Sequence, residues 1–86
     1  MRLSKTATAG SPTRISVTVN YTYQESTGKV AAIDLVYVSG YNESYCRNVS
    51  VYNWSLSGNN MTIIIKYQSI GSNEWIPAAV LVNLTP

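Results

Sequence analysis

The sequence predicts an all-β protein: a small antiparallel β-sandwich or barrel of about five to six strands with an extended N-terminal arm. Three observations carry that reading. Apolar and polar residues alternate with a period of two over several segments, as they do in half-buried strands. Turn clusters containing Gly28, Gly40, Gly58 and Gly71 separate those segments, and no stretch has the 3.6-residue period of a helix. The 86 residues fit one domain, divided into an arm over residues 1–13 and a single β domain over 14–86.

The arm is rich in Ser, Thr, Ala and Gly and ends near Pro12. It carries Arg2 and Lys5 but lacks the continuous apolar stretch of a signal peptide, so no export signal is read. Alternation starts at Ile15, with Ile15, Val17, Val19, Tyr21 and Tyr23 set against Ser16, Thr18, Asn20 and Thr22. The cluster Gln24–Gly28 and the β-branched run Lys29–Val38 complete a predicted hairpin. Placing Tyr21 opposite Ala31, Val19 opposite Ile33, Val17 opposite Leu35 and Ile15 opposite Tyr37 makes one face wholly apolar. Asp34 then falls beside Thr18 on the polar face, and a one-residue slip would mix the two sets.

A turn over Ser39–Glu43 leads to a strand from Ser44 to Leu56, a tight turn at Ser57–Asn60 and a strand from Met61 to Gln68. Leu56 with Met61, Trp54 with Ile63 and Tyr52 with Ile65 form the apolar face of this second hairpin. The apolar parity changes between Val49–Val51 and Tyr52–Leu56, which calls for a bulge or bend near Ser50–Tyr52. The last strand, Trp75–Val82, is apolar on both parities and contains Pro77. Proline cannot donate to a strand ladder, so this strand belongs at an edge or begins there. A two-sided apolar edge strand is expected to be covered by another surface.

A chain this short is marginally stable, and small scaffolds usually recruit disulfides, a metal or self-association. Cys46 is the only cysteine and there is no histidine, so neither an internal disulfide nor a closed zinc site of the usual type can form. Self-association or docking on a larger assembly remains. The net charge of +2 is too small to point to nucleic acid, which is not an expected partner. From Ile15 onward three basic residues face four acidic ones, so the excess positive charge sits in the arm. The longest apolar run, Trp75–Val82, is far short of the roughly 20 residues of a spanning helix, and no membrane span is read.

No catalytic constellation is legible, so no catalytic residue, metal or cofactor is assigned. A Ser or Cys nucleophile has no histidine base, and Arg47, next to Cys46 in a strand, points to the opposite face. Cys46 is read as an inert buried thiol. Glu25, Glu43 and Glu74 lie in separate turns, and the glycines open no helix that could cradle phosphate. Seven tyrosines and two tryptophans without a phenylalanine are more informative, since Tyr and Trp are enriched at interfaces. The interface candidates are Arg2, Lys5, Tyr41, Tyr45, Trp75, Ile76, Ala79 and Leu81, while Tyr21, Tyr37, Tyr52, Trp54 and Tyr67 are read as core or strand-surface aromatics. Asn-x-Ser/Thr occurs at Asn20, Asn42, Asn48, Asn53, Asn60 and Asn83. It marks either glycosylation or polar strand faces that place these residue types two apart.

The segment Val51–Ile63, with Trp54 before the Ser57–Asn60 turn, resembles the Trp-bearing strand and turn of immunoglobulin-like modules, without their paired cysteines. The resemblance informs fold class alone, and with the strand pattern it makes the expected topology immunoglobulin-like or jelly-roll-like. The functional expectation is a non-catalytic structural assembly subunit, a small virion decoration, capsid-associated or tail protein. It would be a homo-oligomer or docked on a larger assembly, in a virion or other extracellular assembly made without its own signal peptide. The alternatives are a cell-surface adhesin or carbohydrate-binding module, and a pilus-like filament subunit that exchanges a strand with its neighbour.

Overall fold

The computed structural model describes residues 1–86. It contains six strands and no helix: β1 Arg2–Ala9, β2 Ile15–Gln24, β3 Lys29–Gly40, β4 Cys46–Ser57, β5 Asn60–Ser69 and β6 Trp75–Asn83. They form two three-stranded antiparallel sheets, β1-β2-β3 and β4-β5-β6. No strand ladder joins the sheets, so no barrel closes. The central strands β2 and β5 supply most of one apolar cluster: Ile15, Val17, Val19 and Tyr21 from β2, and Met61, Ile63 and Ile65 from β5. Val80, Cys46 and Leu84 complete it, and Leu3, Ala7, Val36, Val51 and Val82 pack around it from the edge strands.

The N-terminal segment differs from the expected arm. It is strand β1, in register with β2 from Arg2↔Thr22 to Ala9↔Ile15 without a shift. Leu3, Lys5, Ala7 and Ala9 take the half-buried row, and Ser4, Thr6 and Thr8 the exposed one. Lysine in the inward row and small alanines beside it hide the period-two pattern from a reading based on hydrophobicity.

The first hairpin forms as the turn cluster requires, with Gly28 at φ 67°, but its register departs from the expected one. Tyr21 pairs with Ile33, Val19 with Val36 and Val17 with Val38. Three irregularities in the β2–β3 ladder keep Val30, Ile33, Val36 and Val38 toward the core while leaving Leu35 and Tyr37 exposed. Each extra residue in one strand of a ladder reverses the side-chain parity beyond it, which a single fixed offset cannot reproduce. Asp34 accepts a hydrogen bond from Thr22 Oγ1 at 3.0 Å, not from Thr18.

The second hairpin follows expectation at its turn end, with Leu56↔Met61, Ser55↔Thr62, Trp54↔Ile63 and Asn53↔Ile64. Gly58 supplies the positive φ (59°) of the two-residue turn. The bulge foreseen near Ser50–Tyr52 lies between Val51 and Asn53, so Val51 and not Tyr52 pairs with Ile65. A second irregularity, between Arg47 and Ser50, contains Asn48 at φ 53°. Strand β6 is an edge strand, as Pro77 requires.

Asparagine hubs close both ends of the molecule. Asn59 Nδ2 donates to Gly28 O at 2.8 Å, its Oδ1 accepts from Val30 N at 3.0 Å, and its carbonyl accepts from Leu84 N at 2.7 Å. At the other end, the Asn42 side chain donates to Pro12 O and accepts from Ser44 N, while its backbone N donates to Thr13 O at 2.9 Å. Of the Asn-x-Ser/Thr asparagines, Asn42, Asn48, Asn53, Asn60 and Asn83 all spend side-chain atoms on internal hydrogen bonds.

Candidate interaction surfaces

Strand β6 sets the main surface. Two bonds outside the strands fix its hydrogen-bond phase: Leu84 N donates to Asn59 O, and Ser69 N donates to Glu74 O. With the unbroken β5–β6 register, the alternation of an antiparallel ladder turns the amides of Ile76, Ala78, Val80 and Val82 toward β5. Those of Trp75, Ala79 and Leu81 face the free edge, where Pro77 has no amide to offer. Trp75, Pro77, Ala79 and Leu81 also share the outer face of the sheet and are exposed, Leu81 at 72% and Trp75 at 58%. Their cross-strand neighbours on β5 are Gln68, Lys66, Ile64 and Thr62. The result is an apolar row along one edge, bordered by Gln68, Lys66 and Thr62 and continued onto β5 by Ile64.

The bulge in β4 enlarges this surface. Because it inserts Tyr52 into the strand, the ring leaves the apolar face and lies exposed at 64%, with Lys66 Nζ 3.8 Å from its centroid. A lysine over an aromatic face is an attractive pairing that holds both side chains on the outer surface. The sequence alone makes Tyr52 a core or strand-surface aromatic. The parity change at Val49–Tyr52 was the signal that could have placed it outside.

The other candidates scatter. Ile76 is half-buried on the inner side of β6, opposite Tyr67, because it alternates with exposed Trp75. Lys5 lies on the inner row of β1, where Nζ donates to the backbone oxygens of Asn83, at 2.9 Å, and Thr85. It ties the first sheet to the end of β6 and is not a free cation for a partner. Arg2 is exposed at the start of β1. Tyr41 and Tyr45 lie in the β3–β4 connection; Tyr45 O accepts from Ile70 N at 3.1 Å, which places it near the β5–β6 turn.

A shallow hollow on the outer face of the first sheet is lined by Arg2, Ser4, Asn20, Asp34 and Leu35. It combines a guanidinium, a carboxylate, an amide and a hydroxyl over a leucine floor. Cys46 is buried, its Sγ 3.4 Å from Asn42 O, and burial pushes its thiol pKa up, so the thiolate needed for nucleophilic chemistry is disfavoured. No group of three or more Cys, Asp or Glu side chains gathers to hold a metal ion.

These features define an all-β module with an apolar outer row on one edge strand. No family model, curated protein or solved structure matches the chain.

Proposed function

We propose that the two sheets form a β-sandwich serving as a non-catalytic structural assembly subunit, of the virion decoration, capsid-associated or tail kind, that docks through the outer face of β6. The shared core of β2 and β5 and the dimensions of 49 × 18 × 17 Å suit two stacked three-stranded layers, since strands lie about 4.8 Å apart and layers about 10 Å apart. The observation that carries the functional reading is the row Trp75, Pro77, Ala79 and Leu81 beside Tyr52. Large apolar side chains grouped on one sheet face and rimmed by polar residues have the make-up of a protein-docking surface.

The test is incorporation into particles. In the cells or particles that make the chain, the tagged wild type should sediment with a high-mass assembly, and the Trp75→Lys/Leu81→Lys double variant should sediment as free chain. A wild type that sediments alone, or a variant that co-sediments equally, contradicts the proposal.

The hollow at Arg2, Asn20 and Asp34 supports carbohydrate binding as a second reading, because its mixed donors and acceptors suit a polyhydroxyl ligand. A glycan array should then show binding that Asp34→Ala abolishes and Leu81→Lys leaves intact. A silent array removes this reading.

A further inference from the structure

The outer face of the first sheet carries rows of polar side chains, and most of these bond to one another. Thr18 Oγ1 lies 2.8 Å from Thr6 Oγ1 and donates to Ser39 Oγ at 2.9 Å. Thr8 Oγ1 lies 2.7 Å from Ser16 Oγ, and Thr22 Oγ1 donates to Asp34 Oδ2 at 3.0 Å. The row between Thr6 and Thr22 differs. There Ser4 faces Asn20, and Asn20 faces Leu35. None of the bonds on this face includes Ser4, Asn20 or neighbouring Arg2, so a hydroxyl, an amide and a guanidinium keep their donors and acceptors for an outside partner. These three side chains line the same hollow.

A bulge builds the opposite wall. The β2–β3 ladder passes from Asn20↔Leu35 to Tyr21↔Ile33, which makes Asp34 the extra residue. Consecutive Asp34 and Leu35 are both exposed, where strand alternation would turn one of them inward. The carboxylate therefore stands beside a leucine that is 52% exposed, and with Oδ2 spent on Thr22 its Oδ1 is free to accept. The hollow has a volume of about 470 Å³, within the roughly 300–1,000 Å³ of small-molecule sites.

We infer that this hollow takes the ring of a neutral pyranose, an inference that rests on the carbohydrate reading above and narrows it to uncharged sugars. Neighbouring sugar hydroxyls both donate and accept. They match two free acceptors, Asp34 Oδ1 and Asn20 Oδ1, and two free donor groups, the Arg2 guanidinium and Asn20 Nδ2. The C–H face of the ring covers Leu35. An apolar ligand would leave all of those polar groups unpaired and is disfavoured. Arg2 and Asp34 are the only charged residues of the lining, and their charges cancel. A sugar acid thus loses beside Asp34 what it gains beside Arg2, whereas a neutral ring uses both as hydrogen-bond partners. The site lies on the sheet opposite to β6, so it and the β6 docking surface can fail independently.

NMR titration of the wild type with the methyl glycosides of glucose, galactose and mannose, and in parallel with glucuronate and N-acetylneuraminate, tests it. At least one neutral glycoside should shift the amides of Ser4, Asn20, Asp34 and Leu35 while leaving Ala79 and Leu81 unmoved, and the acids should bind at least about fivefold more weakly. Asp34→Asn keeps an acceptor for Thr22 but leaves Arg2 uncompensated, so it should weaken the neutral glycoside and strengthen the acids. Binding of the acids alone, equal binding of both classes, or an unchanged preference in Asp34→Asn overturns the inference and leaves the carbohydrate reading standing. Shifts at Tyr52 and Trp75 in place of the hollow overturn the assignment of the site. No shift with any sugar removes the carbohydrate reading and the inference together.

Discussion

Tyr21 is fully buried, and its hydroxyl has no hydrogen-bond partner. An unsatisfied buried hydroxyl forfeits its hydration without recompense, so Tyr21→Phe should raise stability by about 1 kcal/mol in denaturant unfolding. A loss of stability would reveal a partner for the hydroxyl. Burial also pushes the Tyr21 phenol pKa up, helped by neighbouring Tyr23, as it does the Cys46 thiol. Groups whose pKa is raised on folding stabilise fully below their unfolded values and lose that contribution as pH rises past them. Stability should therefore hold to about pH 8.5 and fall above it, first through Cys46 and then, beyond about pH 10, through Tyr21. Each group contributes a slope of at most about 1.4 kcal/mol per pH unit. Cys46→Ala should remove the first part of the decline, and an identical pH profile in that variant would contradict the burial. Lys5→Ala, which cuts the link from β1 to the chain beyond β6, should cost roughly 1 kcal/mol in the same measurement.

The six strands differ in how much of their placement was legible. Glycine turns and alternation located β2 to β6, because both signals are local. The phase change between Val49 and Tyr52 located the β4 bulge, and Pro77 placed β6 at an edge. The β3 register was not legible, since three irregularities within one ladder depend on how two sheets share a core. Strand β1 was hidden because its inner row contains Lys5, whose ammonium finds carbonyl partners at residues distant in sequence. The same distance dependence places Lys5 on an inner row, and plain strand alternation places Ile76 there, whereas exposed Trp75, Ala79 and Leu81 share one strand face. Pro77 has a consequence that only the ladder phase reveals: its missing donor lies on the free edge. Pro77→Val should leave the fold intact but raise concentration-dependent aggregation, measured by light scattering. An unchanged scattering profile would mean that other features already block that edge.

At the scale of the molecule, the exposed surface is 5166 Å², close to the ~5,000 Å² expected of a compact monomer of this mass. The fold therefore exposes no more surface than its mass requires. What points outward is the location of apolar side chains on the outer face of β6. The core draws on both sheets, and asparagine hubs lock the two ends, a framework that presents β6 as a fixed surface. Photocrosslinking in the cells that make the chain tests the proposed docking most directly, with a photoreactive residue at Leu81 on the outer face of β6 and, as the control, at Asn20 on the outer face of the opposite sheet. Docking through β6 predicts one discrete adduct to a structural protein from Leu81 and none from Asn20. No adduct from Leu81, or equal yields from both positions, would contradict it.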